Sequence, residues 1–147
     1  MTAKRNRPAH NATVRERPPQ AVKRAWVTMA TGANRETLLT PTAGYRIRLV
    51  RIWLVVTVAE SSEKPLELYF GAGANAASNR AKIIDIFPNV KSIGAYSTRT
   101  YDALSVGRAP TGARDESISY RWQTAPANTH SIFIEYVEES TLLGKVV

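Results

Sequence analysis

The longest apolar, β-branched stretch of the chain is Tyr-Arg-Ile-Arg-Leu-Val-Arg-Ile-Trp-Leu-Val-Val-Thr-Val-Ala, at residues 45–59. Its first half alternates between the two sides of the backbone, with Tyr45, Ile47 and Leu49 on one side and Arg46 and Arg48 on the other. A period of two is typical of a half-buried strand, because successive side chains of a strand point to opposite faces. Val, Ile, Thr, Tyr and Trp also suit a pleated surface. This stretch therefore predicts a long β-strand.

From Val50 the pattern closes up, and the run Ile52-Trp53-Leu54-Val55-Val56 is apolar on both sides. A strand that is covered on both faces lies centrally in a sheet, with a second layer or another subunit over its outer face. The alternation changes phase between Leu49 and Arg51, which predicts a β-bulge or a bend at that point.

Length and composition indicate one globular domain. A chain of 147 residues is long enough to bury a hydrophobic core. It has no cysteine, which excludes disulfides and thiolate metal sites. No apolar run approaches the length of a membrane span, and the basic N-terminus lacks the apolar core of a signal peptide. We expect no membrane partner, and synthesis or assembly in the cytosol.

The positive charge is concentrated at the N-terminus. Residues 1–24 carry one acid, Glu16, and seven basic residues: Lys4, Arg5, Arg7, Arg15, Arg17, Lys23 and Arg24. Their net charge is +6, against +2 for the rest of the chain. The segment also has three prolines and few large apolar side chains, so it cannot form a core of its own. We predict an extended arm that orders on a partner, with Trp26 joining its basic residues in the contact; a merely solvated tail is the alternative.

The remaining pattern predicts an all-β fold. Strands are expected at residues 25–29, 36–39, 45–58, 66–70, 82–87, 95–101, 116–122 and 130–137. Turns rich in Gly, Pro and Asn separate them, and no segment has a helical period. About eight such strands predict an antiparallel jelly-roll-like β-sandwich at residues 25–139, with another type of β-sandwich as the alternative. Residues 140–147 form a short tail whose apolar residues, expected to contact another subunit, are Leu142, Leu143, Val146 and Val147.

No residue pattern indicates catalysis, a metal site or a cofactor. Of the two histidines, His10 lies in the arm and His130 begins a strand, where a structural role is expected. The Gly-x-Gly at residues 71–73 lacks the rest of a phosphate-binding motif, so a surface loop is expected there. We therefore predict that the protein is not an enzyme.

The aromatic and basic residues of the body have two interpretations. Trp53 and Trp122 either stack on bases or pack in the core, and their apolar neighbours favour the core. The strand arginines either form a basic strip or meet Glu67 and Glu135 as cross-strand pairs, and we favour the pairs. These arginines are Arg46, Arg48, Arg51 and Arg121.

The order of features resembles that of small tailed-phage capsid decoration (cement) proteins. The resemblance covers residues 45–139: the long strand, the strand Leu66–Phe70 with its small-residue loop, the strand after a Gly/Pro loop, and the closing Ser-Ile-Phe-Ile-Glu-Tyr-Val-Glu-Glu. It implies a structural virion protein that binds the outside of an icosahedral bacteriophage capsid as a homotrimer. It also implies arms that reach over neighbouring subunits of the major capsid protein.

Two other functions fit the same residues. One is a small jelly-roll coat protein whose basic arm points inward and binds packaged nucleic acid. The other is a carbohydrate- or receptor-binding β-sandwich that uses the loops at residues 71–80 and 107–115.

Overall fold

The computed structural model describes residues 21–97 and 109–141, and within them the chain forms eight β-strands. The strands are β1 (Lys23–Met29), β2 (Glu36–Leu39), β3 (Tyr45–Val56), β4 (Leu66–Phe70), β5 (Ile83–Phe87), β6 (Gly94–Ser97), β7 (Ile118–Trp122) and β8 (His130–Ser140). They form two antiparallel four-stranded sheets packed as a sandwich. The all-β prediction is confirmed.

The strand order is that of a jelly roll. The first sheet runs β1-β8-β3-β6 and the second runs β2-β7-β4-β5. If the chain is folded at its midpoint into one long hairpin, the pairs are β4 with β5, β3 with β6, β2 with β7 and β1 with β8. All four of these pairs occur, and winding the hairpin into two sheets adds the contacts of β8 with β3 and of β7 with β4.

The core lies between the two sheets and is built by alternation along the long strands. On β3 the fully buried side chains are Ile47, Leu49, Ile52, Leu54 and, with 1% exposed, Val56. The inward positions change from odd to even numbers between Leu49 and Arg51, where the register against β8 also shifts. The predicted bulge is therefore confirmed.

Several element boundaries differ from the expected ones. β1 begins at Lys23, two residues early, and β8 continues through Glu138 and Glu139 to Ser140. Both extensions have the same cause, because charges on the neighbouring strands pair with them. Residues 76–82, expected to be loop and the start of a strand, form a 3₁₀ helix instead. β6 is described only to Ser97, and the expected residues 98–101 lie outside the described part.

Leu54→Ala tests the position of the core. Because Leu54 is fully buried in a central strand, we expect its truncation to lower the free energy of unfolding by about 2–5 kcal/mol. Val58→Ala, at a position 48% exposed just beyond the same strand, is the control and should change it little. Urea denaturation measures both, and equal losses would contradict the assigned inward face of β3.

Candidate functional site

The outer face of the first sheet carries an aromatic stripe, which we define as Trp26, Trp53, Val55 and Phe133. Trp26 of β1 lies opposite Phe133 of β8, and Phe133 in turn lies opposite Trp53 of β3. The ring centroids are 6.0 Å apart for Trp26 and Phe133 and 5.0 Å apart for Phe133 and Trp53. These residues line a shallow apolar groove of about 320 Å³, and Trp26 is 60% exposed.

The position of Trp53 corrects the sequence analysis, which assigned it to the core. The bulge between Leu49 and Arg51 shifts the alternation by one residue, so Trp53 faces outward. The guanidinium of Arg51 lies 4.6 Å from its ring centroid, at cation–π distance. Trp122, by contrast, is fully buried, as expected.

Charged side chains form two rows beside the aromatic stripe. In the nearer row Glu135 accepts from Arg24 at 3.1 Å and lies 3.8 Å from Arg51. In the farther row Glu139 pairs with Arg46 at 2.9 Å and with Arg48 at 2.6 Å. The predicted cross-strand pairing is confirmed for Arg51 with Glu135 and, in the second sheet, for Arg121 with Glu67 at 3.7 Å. Arg46 and Arg48 are also paired, but with Glu139 and not with the predicted Glu67 or Glu135.

The pairing affects the titration of Glu139 and the charge of the face. Partial burial alone would raise the pKa of Glu139, but hydrogen bonds from Arg48 and Arg46 outweigh it and lower that pKa. Four arginines share two glutamates on this face, so it has a small positive excess. The arginines are already engaged within the chain.

The second sheet differs because its own connection covers part of its outer face. The carboxylate of Glu67 on β4 accepts from the backbone N–H of Ala76 at 2.9 Å, and the Tyr69 hydroxyl donates to the carbonyl of Gly73 at 2.8 Å. The outward-facing Glu67 and Tyr69 are buried as a result, while Leu66, Leu68 and Phe70 are buried in the core. The connection at residues 71–80 therefore covers β4 of this sheet, whereas no described segment covers the aromatic stripe.

A buried polar cluster centred on Glu60 is a feature that the sequence analysis did not identify. The residue is 3% exposed, and its carboxylate accepts from the backbone N–H groups of Ala127 and Asn128 at 2.9 and 3.0 Å. His130 Nε2 lies 2.8 Å from it, and the His130 ring packs on Trp122 at 5.7 Å between centroids. Burial alone would raise the pKa of Glu60, but these hydrogen bonds lower it to about 2. Glu60 thus links the connection after β3 to the turn before β8 by hydrogen bonds at one end of the sandwich.

The two loops proposed for carbohydrate binding meet at a pocket of about 320 Å³, where Gly71 and Ala72 of one loop lie beside Asp115 of the other. Phe70, Lys82, Pro110 and Glu116 are among the residues around a surface pocket of about 430 Å³. Glu116 is engaged by Lys82 and by the backbone N–H of Ala113. Phe70 is 3% exposed, so its ring offers no free face on which a sugar could stack.

The predicted contact residues divide into a described and an undescribed group. Lys23, Arg24 and Trp26 lie in β1, where Lys23 pairs with Glu138 and Arg24 with Glu135. The others lie outside the described residues: Lys4, Arg5, Arg7, Arg15 and Arg17 of the arm, and Leu142, Leu143, Val146 and Val147 of the tail. Within the described residues, no group of three or more His, Cys, Asp or Glu side chains is placed to hold a metal ion. No helix in residues 21–97 and 109–141 has the length and apolar character that a membrane crossing requires.

Comparisons of the chain with protein-family models, with curated proteins and with solved structures gave no match. A functional proposal therefore rests on the charges and surfaces of the chain itself.

Glu60→Gln tests the buried cluster. The amide keeps one acceptor oxygen and replaces the other with an NH₂ group, which would face backbone N–H donors. We therefore expect a loss on the order of 1–3 kcal/mol in the free energy of unfolding at pH 7. The pKa of Glu60 is lowered from 4.5 to about 2 in the folded protein, so its contribution is complete above about pH 4.5. That contribution disappears as the pH falls toward 2, and the variant should therefore lose less stability than the wild type across this interval.

Urea denaturation at several pH values between 7 and 2 measures both effects. Glu63→Gln, in the exposed part of the same connection, is the matched control and should behave like the wild type. Parallel pH profiles for Glu60→Gln and the wild type would contradict this role of Glu60.

Proposed function

We propose that the protein is a structural virion protein that binds the outside of an icosahedral bacteriophage capsid as a homotrimer and stabilises it. Its N-terminal arm reaches over neighbouring subunits of the major capsid protein. One observation carries the proposal: the strand arginines are paired with the body's own glutamates, whereas residues 1–20 have five basic residues and one acid. The charge that remains for a partner is concentrated in the arm.

The place where the arm joins the body supports this function. The arm leads into β1, which is an edge strand of the first sheet, because within residues 21–97 and 109–141 it pairs only with β8. An edge strand has main-chain N–H and C=O groups that a strand of another protein can pair with. Twenty residues extend to roughly 66 Å at about 3.3 Å per residue, which is long enough to cross from one capsid subunit to the next.

A trimer can bind tightly even if each of its three arms binds weakly. Each exposed ion pair contributes only about 0.2–1 kcal/mol, so one arm with five basic residues binds weakly. Three arms on one trimer act together, because binding of the first raises the effective concentration of the others. Decoration of a capsid thus requires no deep pocket and no catalytic group.

The pairing of the body arginines also bears on the nucleic-acid alternative. A coat protein with an inward arm would bind nucleic acid through the same five basic residues, so the two functions differ in the partner and not in the residues. Binding that falls steeply with salt on random DNA or RNA, without binding to genome-free capsids, would favour the inward arm.

Deletion of residues 1–20 tests the decoration function. Because strand pairing begins at Lys23, we expect the truncated body to fold and to keep its oligomeric state. It should fail to sediment with genome-free capsids, to which the full chain binds. Full-strength binding by the truncated protein would contradict the proposed role of the arm.

A charge-matched pair of double variants separates the arm from general electrostatics. Arg15→Gln with Arg17→Gln removes two positive charges from the arm, and Arg80→Gln with Lys91→Gln removes two from exposed positions of the body. Over three arms we expect the first variant to bind capsids at least roughly tenfold more weakly and the second to bind like the wild type. Equal weakening would indicate a net-charge effect and would contradict a specific arm contact.

A further inference from the structure

The aromatic stripe is a surface without a partner in the part of the chain that the structure describes. Trp26, Trp53 and Phe133 lie in contact across three strands, and paired charges flank them on one side. Aromatic residues and arginine are enriched in protein–protein interfaces, where an apolar centre is surrounded by a polar rim. In the second sheet, the connection after β4 covers the outer face of that strand. The stripe on the first sheet has no such cover among the described residues.

Residues 142–147 cannot reach the stripe of their own chain. β8 ends at Ser140, opposite Tyr45, whereas Phe133 lies seven residues back along the strand, or about 23 Å at 3.3 Å per residue. Residues 142–147 extend to about 20 Å at most, and a reversal of direction uses part of that length. If these residues cover a stripe, that stripe therefore belongs to another molecule.

The other undescribed segments fit the stripe less well. Residues 1–20 carry five basic residues and would approach a face on which four arginines share two glutamates. Residues 98–108 include two arginines and one aspartate among eleven residues, which suits an apolar groove less well. Their described neighbours lie along β3, where Ser97 is opposite Trp53 and the carbonyl of Pro110 accepts from the N–H of Leu49. The tail Leu-Leu-Gly-Lys-Val-Val, by contrast, has four large aliphatic side chains in six residues.

We propose that residues 142–147 of one copy lie across the aromatic stripe of a second copy. In an extended segment Leu142 and Val146 fall on one side about 13 Å apart, a distance comparable with the span of the three rings. Gly144 lies between them on that side and leaves room for the central ring. The charged rows remain outside this contact.

The contact joins two different surfaces, so two copies can exchange tails reciprocally, or several copies can pass them from head to tail. Heterologous contacts close into a ring when the rotation permits, and three copies then form a trimer in which every stripe is covered. The trimer rests on the proposed function, whereas the contact between tail and stripe is independent of any capsid. The body and its tails hold the copies together, and the arms remain free for another protein.

Three variants of the full chain test the exchange by light scattering at micromolar concentration. Trp26→Glu places a charge on the stripe at an exposed position, and Val146→Glu places one on the tail. We expect both to reduce the mass from that of the oligomer to that of one chain, with unchanged circular dichroism. Ile86→Glu, at a 40% exposed apolar position of the second sheet, is the matched control and should keep the wild-type mass.

Mixing distinguishes an exchanged tail from any other contact. A Trp26→Glu copy has an intact tail and a Val146→Glu copy has an intact stripe, so a mixture of the two should form complexes of two chains. The exchange is overturned if the wild type is a monomer, if either variant keeps the wild-type mass, or if the mixture stays monomeric.

The outcomes also separate this inference from the proposed function. A wild-type dimer that both variants dissociate supports the exchange and contradicts the trimer. If the wild type forms the oligomer by tail exchange but does not bind capsids, only the decoration function is contradicted. Loss of the oligomer in Trp26→Glu but not in Val146→Glu shows that another segment covers the stripe, and it overturns the exchange.

Discussion

The structure depends on one change of phase in β3. Before the bulge the odd-numbered side chains Ile47 and Leu49 enter the core, and after it the even-numbered Ile52 and Leu54 do. Without the extra residue the second half of the strand would turn its even positions outward and bury Trp53 in their place. The bulge thus fills the core with aliphatic side chains and puts an indole on the surface. It also brings Arg51 over that indole and opposite Glu135.

The charged rows show why this face can be both basic in composition and suited to protein contacts. Glu135 and Glu139 each have two arginine partners, so the arginines are held in place along the sheet. Pairs of this kind contribute little to stability at an exposed surface. The pairs also affect which partner the face can bind. A paired guanidinium is less available to phosphate, while the planar group of Arg51 still lies over the ring of Trp53.

The sequence predicts the architecture well because jelly-roll strands alternate and their turns carry Gly, Pro and Asn. It predicts the bulge for the same reason, since a slip in the alternation is visible in the residues themselves. The face on which Trp53 lies could have been obtained by carrying the phase through that slip, but an unbroken apolar run hides which side is inside. Glu60 gave no such signal. It lies in a polar connection, and its burial depends on a turn some seventy residues later in the chain, which no local pattern reveals.

The two sheets differ in how much of their outer faces the described chain covers. In the second sheet the connection after β4 covers the outer face of that strand through contacts with Glu67 and Tyr69. The first sheet has the edge strand at the root of the arm, the aromatic stripe and the end of β8, from which the tail continues. A jelly roll serves many functions, so the fold alone does not indicate one. In this chain the first and the last described strands and the aromatic stripe belong to a single sheet. This arrangement is what the proposed binding of other subunits would require.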